Sequence, residues 1–135
     1  MESPAQILRT RKTYALIGAS ADPEKYSFEL LSTMRNAGYT VYPVNPRYET
    51  IGALPCYPSL AAVPERPDVA ISALAPHNTE RVIEQVAEQR IPVVWLPPNC
   101  GSEAAVAKAE RLGLGIVYDV CPIGELARMG GGRVT

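Results

Sequence analysis

Short, continuous apolar runs recur along the chain, and segments with helical spacing of apolar residues separate most of them. Five such runs predict strands: Thr13–Ile17, Thr40–Val44, Asp68–Ser72, Pro92–Leu96 and Gly115–Tyr118. Two of the helical segments end at glycines, Gly38 and Gly113. Alternating strands and helices indicate parallel pairing, and strands without a polar face are covered on both sides. The pattern therefore predicts an α/β fold, a three-layer, doubly wound parallel sheet of five or six strands.

The segment between the second and third runs departs from this alternation. Tyr48–Gly52 is predicted as a short edge strand, and Ser59–Ala62 as one helical turn in place of a crossover helix. If that edge strand pairs, the sheet has the Rossmann-like order of dinucleotide-binding domains, and the ligand crevice lies at Gly18. Two terminal helices and a frayed tail complete the prediction: Ala5–Arg11, Pro122–Met129 and residues 130–135.

Composition narrows the possible functions. A chain of 135 residues is expected to form one domain, 1–135, with a sizeable core. The net charge of −1 and the lack of a Lys/Arg run argue against nucleic acid or a membrane surface as a partner. No stretch is apolar enough to span a membrane or to act as a secretory signal, so a cytoplasmic protein is expected. The three cysteines have no C-x-x-C spacing, which suits a reducing compartment and predicts no metal site.

The first strand leads into a loop of small residues and then into a helix. The candidate residues are Gly18, Ala19 and Ser20 in the loop and Lys25, Tyr26 and Ser27 at the helix start. Ser27 is the predicted N-cap, and unpaired N–H groups at a helix start favour a phosphate, with Lys25 as countercharge. The full G-x-G-x-x-G fingerprint is missing, so a nucleotide-like ligand is favoured without fixing its class. A tight turn with a solvated lysine is the alternative.

The second strand ends without the acidic residue that binds the ribose hydroxyls of NAD. Asn45 and Arg47 occupy that region instead, and a guanidinium suits a ribose that carries an extra phosphate. Among common cofactors this favours coenzyme A or NADP. A proline-bracketed turn with an exposed arginine is the alternative.

The later strand ends supply apolar residues and thiols. Small apolar residues before His77 could form a wall for an adenine ring, whereas a lone histidine without a partner predicts no proton transfer, and no catalytic residue is assigned. Asn99, Cys100 and Cys121 lie at the carboxyl ends of the fourth and fifth strands, where ligands bind in open α/β sheets. A thiol-bearing ligand could reach either cysteine, and the following helix start would favour a thiolate at Cys121. Inert packing is the alternative for both.

Four segments together resemble the CoA-binding domain family, the small stand-alone proteins similar to the N-terminal domain of the succinyl-CoA synthetase alpha subunit. They are I-G-A-S-A-D-P-E-K at 17–25, G-Y-T-V-Y-P-V-N-P at 38–46, V-W-L at 94–96 and Y-D-V-C-P at 118–122. The likeness covers nearly the whole chain. Its most specific part is V-N-P after the second strand, at the proper distance from G-A-S after the first.

The resemblance implies a Rossmann-like domain that holds coenzyme A. It points to Gly18, Ala19, Ser20 and Lys25 for the phosphates, to Asn45, Pro46 and Arg47 for the adenosine 3′-phosphate region, and to Ala73, Leu74, Ala75 and Pro76 for the adenine wall. This sequence departs from the usual pattern of the family at two positions. The family usually has a glycine soon after the loop lysine, where this chain has Ser27, and a loop close to Q-x-G after the fourth strand, where this chain has residues 96–101. The phosphorylated histidine of the synthetase belongs to another domain, so ligase activity is not implied.

Three functions follow as alternatives. The first is a non-catalytic module that binds CoA or acyl-CoA and could hold it as a mixed disulfide. The second is a minimal NADP-dependent reductase, and the third is a regulatory module that docks on another protein. A homodimer is compatible with a sheet protein of this size, although the sequence fixes no interface.

Overall fold

The computed structural model describes residues 2–130, and within them helices and strands alternate as the sequence predicts. The helices are α1 (Pro4–Thr10), α2 (Tyr26–Asn36), α3 (Pro76–Glu88), α4 (Glu103–Arg111) and α5 (Pro122–Arg128). The strands are β1 (Thr13–Ile17), β2 (Thr40–Val44), β3 (Thr50–Ile51), β4 (Leu54–Pro55), β5 (Val69–Ser72), β6 (Val93–Leu96) and β7 (Gly115–Tyr118). A single 3₁₀ turn spans Leu60–Ala62. The predicted frayed tail falls, apart from Gly130, outside the described residues.

Five parallel strands form the main sheet, in the order β2-β1-β5-β6-β7. The prediction of a Rossmann-like α/β fold is therefore confirmed. The chain runs from β1 outward to β2 and then crosses back to β5 on the other side of β1. Loops that leave β1 and β5 consequently separate at their carboxyl ends, which opens a crevice beside Ile17, whose partners are Val44 and Ser72.

Side chains of successive strand residues point to opposite faces of the sheet, and both faces are buried. Tyr14, Leu16 and Trp95 pack in one apolar cluster with residues of α1, α2 and α5. Ala15 and Ile17 belong to a second cluster, on the side of α3 and α4. Complete burial of each large aliphatic side chain contributes about 1.5–3 kcal/mol, so the two clusters hold the strand ends in fixed positions.

The prediction that Tyr48–Gly52 forms an edge strand of the main sheet is wrong. Thr50–Ile51 instead pairs antiparallel with Leu54–Pro55, because the chain reverses at Gly52, whose φ is +60°. The residue that continues the main sheet beyond β2 is Tyr57, which forms one isolated parallel bridge with Val44. The dinucleotide-binding order is thus present, with its outermost strand reduced to a single bridge.

Among residues 2–130, no helix combines the length and hydrophobicity needed to cross a membrane.

Candidate functional site

A cleft of about 690 Å³ opens at the carboxyl edge of the main sheet, where the loops after β1, β2, β5, β6 and β7 converge. Its lining consists of Gly18, Ser20, Lys25, Tyr26, Ser27, Asn45, Arg47, Tyr48, Ala73, Pro98, Asn99, Cys100 and Cys121. We call this cavity the edge cleft.

The sequence-predicted site residues divide into two groups. Eleven line the edge cleft: Gly18, Ser20, Lys25, Tyr26, Ser27, Asn45, Arg47, Ala73, Asn99, Cys100 and Cys121. Ala19, Pro46, Leu74, Ala75 and Pro76 are not part of its lining. The predicted apolar wall is thereby reduced to Ala73, because the chain turns away into α3 with Ala75 as its N-cap.

Two lining residues, Tyr48 and Pro98, were not predicted. Tyr48 directly follows Arg47, and Pro98 directly precedes Asn99. Extending each predicted strand-end segment by one residue would have included both. Neither has a distinctive motif of its own.

The loop after β1 is held close to its neighbours. Gly18 has a φ of +84°, and its N–H donates to the Val44 carbonyl at 2.9 Å. A Cβ at this position would lie 2.8 Å from Cδ2 of Leu74. Glycine is therefore required here by backbone conformation and by close packing. Its own N–H extends the strand pairing and does not point to a ligand.

The next backbone donors in this loop are free. The N–H groups of Ala19 and Ser20 donate to no protein group within residues 2–130. The Ser20 Oγ accepts from the Asp22 N–H at 3.0 Å, and Asp22 accepts in turn from the Glu24 N–H at 2.9 Å. These bonds order the loop while leaving two donors available for an anion.

The N-cap of α2 is Lys25, and the prediction of Ser27 as N-cap is wrong. The turn at Asp22 already positions Lys25, whose N–H donates to the Asp22 carbonyl, so the helix begins at Tyr26 and Ser27 is buried in its first turn. No side chain caps this helix, whereas Ser102 caps α4. Within the described residues the Tyr26 and Ser27 N–H groups therefore have no protein acceptor, and both residues line the edge cleft.

Asn45 connects the loops after β1 and β2. Its Nδ2 donates to the Ala19 carbonyl at 2.9 Å, and its Oδ1 accepts from the Arg47 N–H at 2.9 Å. Both ends of the amide are therefore engaged within the protein. Asn45 positions the two loops that carry the ligand-facing groups.

Positive charge enters the edge cleft from two sides. Lys25 and Arg47 are both exposed, and neither forms an ion pair within residues 2–130. No Asp, Glu or His belongs to the described lining of the cleft. An anionic ligand is the electrostatic complement of this arrangement.

The loops after β6 and β7 and the first turn of α2 bring two thiols and a hydroxyl into the edge cleft, a group of residues that we call the thiol end. Cys121 Sγ lies 3.1 Å from the Tyr26 Oη, and Cys100 is buried nearby in the same lining. Burial raises the pKa of Tyr26 above its ordinary value, and the hydrogen bond with Cys121 raises it further. Burial also raises the pKa of the Cys100 thiol. Both groups are therefore protonated at neutral pH.

The loops that carry these thiols are fixed by the sheet. Trp95 of β6 donates its Nε1–H to the Val120 carbonyl at 2.7 Å, directly before Cys121. After Cys100, a Cβ on Gly101 would lie 2.9 Å from Cδ1 of Leu96, so this loop packs closely on the strand that precedes it. Packing and hydrogen bonding thus determine where both thiols enter the cleft.

Metal binding finds no support in the part of the chain that the structure describes. It contains no group of three or more His, Cys, Asp or Glu side chains that could hold a metal ion.

Several archaeal and bacterial proteins are similar to this chain. The acetate–CoA ligase (ADP-forming) I of Archaeoglobus fulgidus is 34% identical over 120 residues, which are 82% of this chain and 18% of the ligase. The chain therefore spans less than a fifth of that relative. The uncharacterized protein YneT of Bacillus subtilis is 26% identical, with 86% of each chain covered.

Solved structures share the whole fold. A hypothetical protein from Pyrococcus horikoshii superposes with a TM-score of 0.89 and 35% identity, over 93% of this chain and 88% of the other. A Thermus thermophilus protein superposes with a TM-score of 0.86 and 26% identity, over 95% and 99% of the two chains. The model of the CoA binding domain family matches residues 12–127. This chain therefore belongs to the CoA binding domain family.

Proposed function

We propose that this protein binds CoA or an acyl-CoA in the edge cleft and is not catalytic by itself. The observation that carries the proposal is the uncapped start of α2 beside an ordered loop, with N–H groups and a lysine that have no partner among residues 2–130. Such a start is an anion site by its backbone donors and its dipole. Membership of the CoA binding domain family favours CoA as the anion.

The pyrophosphate is assigned to the part of the edge cleft formed by the loop after β1 and the first turn of α2, which we call the phosphate end. The N–H groups of Ala19, Ser20, Tyr26 and Ser27 supply donors, and Lys25 supplies charge. Ala19 contributes through its backbone alone, because its side chain is buried. Gly18 makes the close approach possible through its conformation and lack of a side chain.

The adenosine end is assigned to the loop after β2. Arg47 is the group for the 3′-phosphate, because its guanidinium is exposed and can form a bidentate pair with a phosphate. Asn45 is assigned a positioning role, since one N–H of its amide and its Oδ1 already bond to the two loops. Tyr48 and Ala73 are the apolar surfaces available to the adenine ring.

A non-catalytic role is supported by the composition of the cleft. Its described lining has no carboxylate and no imidazole, the usual groups for acid–base chemistry. The similar acetate–CoA ligase I of Archaeoglobus fulgidus is more than five times as long as its matched part, so its activity is not assigned to this chain.

Thermal unfolding with a ligand panel tests the proposal. A ligand that binds only the native state at about 100 times its Kd adds about 2.7 kcal/mol of stability. We expect CoA and acetyl-CoA to raise the melting temperature by several degrees in reducing buffer, and NADPH and NADH to leave it unchanged. A shift with NADPH and none with CoA would refute the proposal and favour the reductase alternative.

A further inference from the structure

Two cysteines from different loops and one tyrosine hydroxyl meet in the cleft that is proposed to hold CoA. Cys100 follows β6 and Cys121 follows β7, and Tyr26 reaches them from the first turn of α2. Residues 26 and 121 are 95 positions apart, yet the Tyr26 Oη lies 3.1 Å from the Cys121 Sγ. The same first turn of α2 carries the free N–H groups of the phosphate end.

The two thiols differ in accessibility. Cys121 is partly exposed, whereas Cys100 is 8% exposed and burial raises the pKa of its thiol. The thiolate is the reacting form of a cysteine, so burial disfavours reaction at Cys100. Of the two thiols, Cys121 is therefore the one that is accessible for reaction with a disulfide bound in the cleft.

Tyr26 is placed to donate a hydrogen bond to the sulfur of Cys121. Its raised pKa keeps the hydroxyl protonated at neutral pH, so the hydroxyl can donate to a negatively charged sulfur. A hydrogen bond to a charged acceptor is stronger than one between neutral groups. The Trp95 bond to the Val120 carbonyl holds the sulfur in this position.

We propose that Cys121 exchanges with CoA disulfide bound in the edge cleft and retains one CoA as a mixed disulfide. The inference rests on the proposed CoA binding. The Cys121 thiolate attacks one sulfur of the symmetrical disulfide of CoA. The CoA–CoA S–S bond breaks, a protein–CoA S–S bond forms, and one CoA leaves as a thiolate that takes a proton from water. No further oxidant is needed, and a small reducing thiol reverses the exchange.

Intact-protein mass spectrometry after incubation with CoA disulfide tests this assignment. We expect one adduct with the mass of CoA less two hydrogens, located on Cys121 by peptide mapping and removed by dithiothreitol. The reaction should be at least about tenfold faster than with glutathione disulfide, because the cleft raises the effective concentration of a bound reagent. Acetyl-CoA, which has no free thiol, should compete and slow it.

Variants separate the assigned thiol from the others. Cys121→Ser should abolish the adduct, whereas Cys56→Ser should retain it, because Cys56 is not in the cleft lining and its Sγ bonds the Asn45 carbonyl. Tyr26→Phe should slow exchange at neutral pH, since it removes the donor to the thiolate. An adduct on Cys100, equal rates with glutathione disulfide, or no competition by acetyl-CoA would overturn the inference.

Calorimetry with CoA in reducing buffer distinguishes the two possible failures. Binding of CoA by the wild type and by Cys121→Ser, with no adduct in the wild type, refutes the disulfide and leaves the proposed function intact. Absence of CoA binding to the reduced wild type refutes the proposed function itself.

Discussion

Asn45 connects the loops after β1 and β2 at the edge cleft. Its amide donates to the loop after β1 and accepts from the loop after β2, so one side chain fixes the spacing of both. The sequence correctly indicates that this position matters for the cleft. The sequence cannot show that the Asn45 amide bonds to the protein, because its acceptor, the Ala19 carbonyl, lies 26 residues away in the chain.

Replacement of this amide tests the positioning role. We expect Asn45→Ala to lower the free energy of unfolding by about 1 kcal/mol, because the partly buried Ala19 carbonyl loses its donor. CoA binding should weaken as the loop loses its order. Urea denaturation and calorimetry measure the two effects, with Asn36→Ala at an exposed position as the control. Unchanged stability together with weaker binding would instead place Asn45 on the ligand.

Arg47 is proposed to recognise the 3′-phosphate, and ligand pairs can test that directly. We expect Arg47→Ala to weaken CoA by about tenfold and dephospho-CoA by less than about twofold, because only CoA carries the phosphate that the guanidinium would pair with. Calorimetry of both ligands gives the comparison. Arg66→Ala, at an exposed arginine outside the cleft lining, should change neither affinity. Equal losses for the two ligands would remove Arg47 from the phosphate site.

Residue type alone wrongly predicts that Ser27 is the N-cap of α2. Serine is a preferred N-cap, but the Asp22 turn starts α2 earlier and buries Ser27 within the helix. The sequence shows the residue type and the approximate helix start. The actual cap depends on local hydrogen bonds that no periodicity encodes.

At the scale of elements, the contrast between α2 and α4 is informative. Ser102 caps α4 by accepting from the Ala105 N–H at 3.1 Å, whereas α2 begins at Lys25 with no side-chain cap. The starts of α3 and α5 also have no side-chain cap, but each has a proline in its first turn, which carries no N–H. At α2 the N–H groups of Tyr26 and Ser27 remain, and both residues line the edge cleft.

Installing a cap on α2 should exchange binding for stability. The extended backbone of Lys25, with φ −86° and ψ 142°, is the geometry that an N-cap serine uses. We expect Lys25→Ser to stabilise the ligand-free protein by about 1 kcal/mol relative to Lys25→Met, because the hydroxyl accepts from the first turn. Both variants lose the charge and should bind CoA at least about tenfold more weakly than the wild type, and Lys25→Ser should bind more weakly than Lys25→Met because its hydroxyl also occupies an N–H of the first turn. Denaturation and calorimetry on the matched pair test this, and full CoA affinity in either variant would contradict the phosphate assignment.

The main strands are predictable from sequence because both faces of the sheet are buried. β1, β2 and β7 have the predicted bounds, and β5 and β6 each begin one residue later than predicted, at Val69 and Val93. The segment after β2 is not predictable in the same way. Its strands have only two residues each. They form because the chain reverses at Gly52 and pairs with itself as a hairpin, and no run of apolar residues marks them in the sequence.

For the whole molecule, the order of the strands brings the candidate chemistry together. Because the five strands are parallel, the loops after them leave at one edge, and the position of β1 between β2 and β5 makes their three loops neighbours. The loops after β6 and β7 complete the cleft. The sequence predicts which residues lie at that edge. It does not predict which of them face the cleft, as Leu74 and Pro76 show, nor the contact between Tyr26 and Cys121.

A calorimetric titration of the reduced protein with CoA tests the central claim most directly, with NADPH titrated in parallel. We predict one CoA per chain, with no measurable heat from NADPH, because the cleft combines a phosphate end, an arginine after β2 and a thiol end in one cavity. Saturable NADPH binding without CoA binding would contradict the assignment of the edge cleft to CoA.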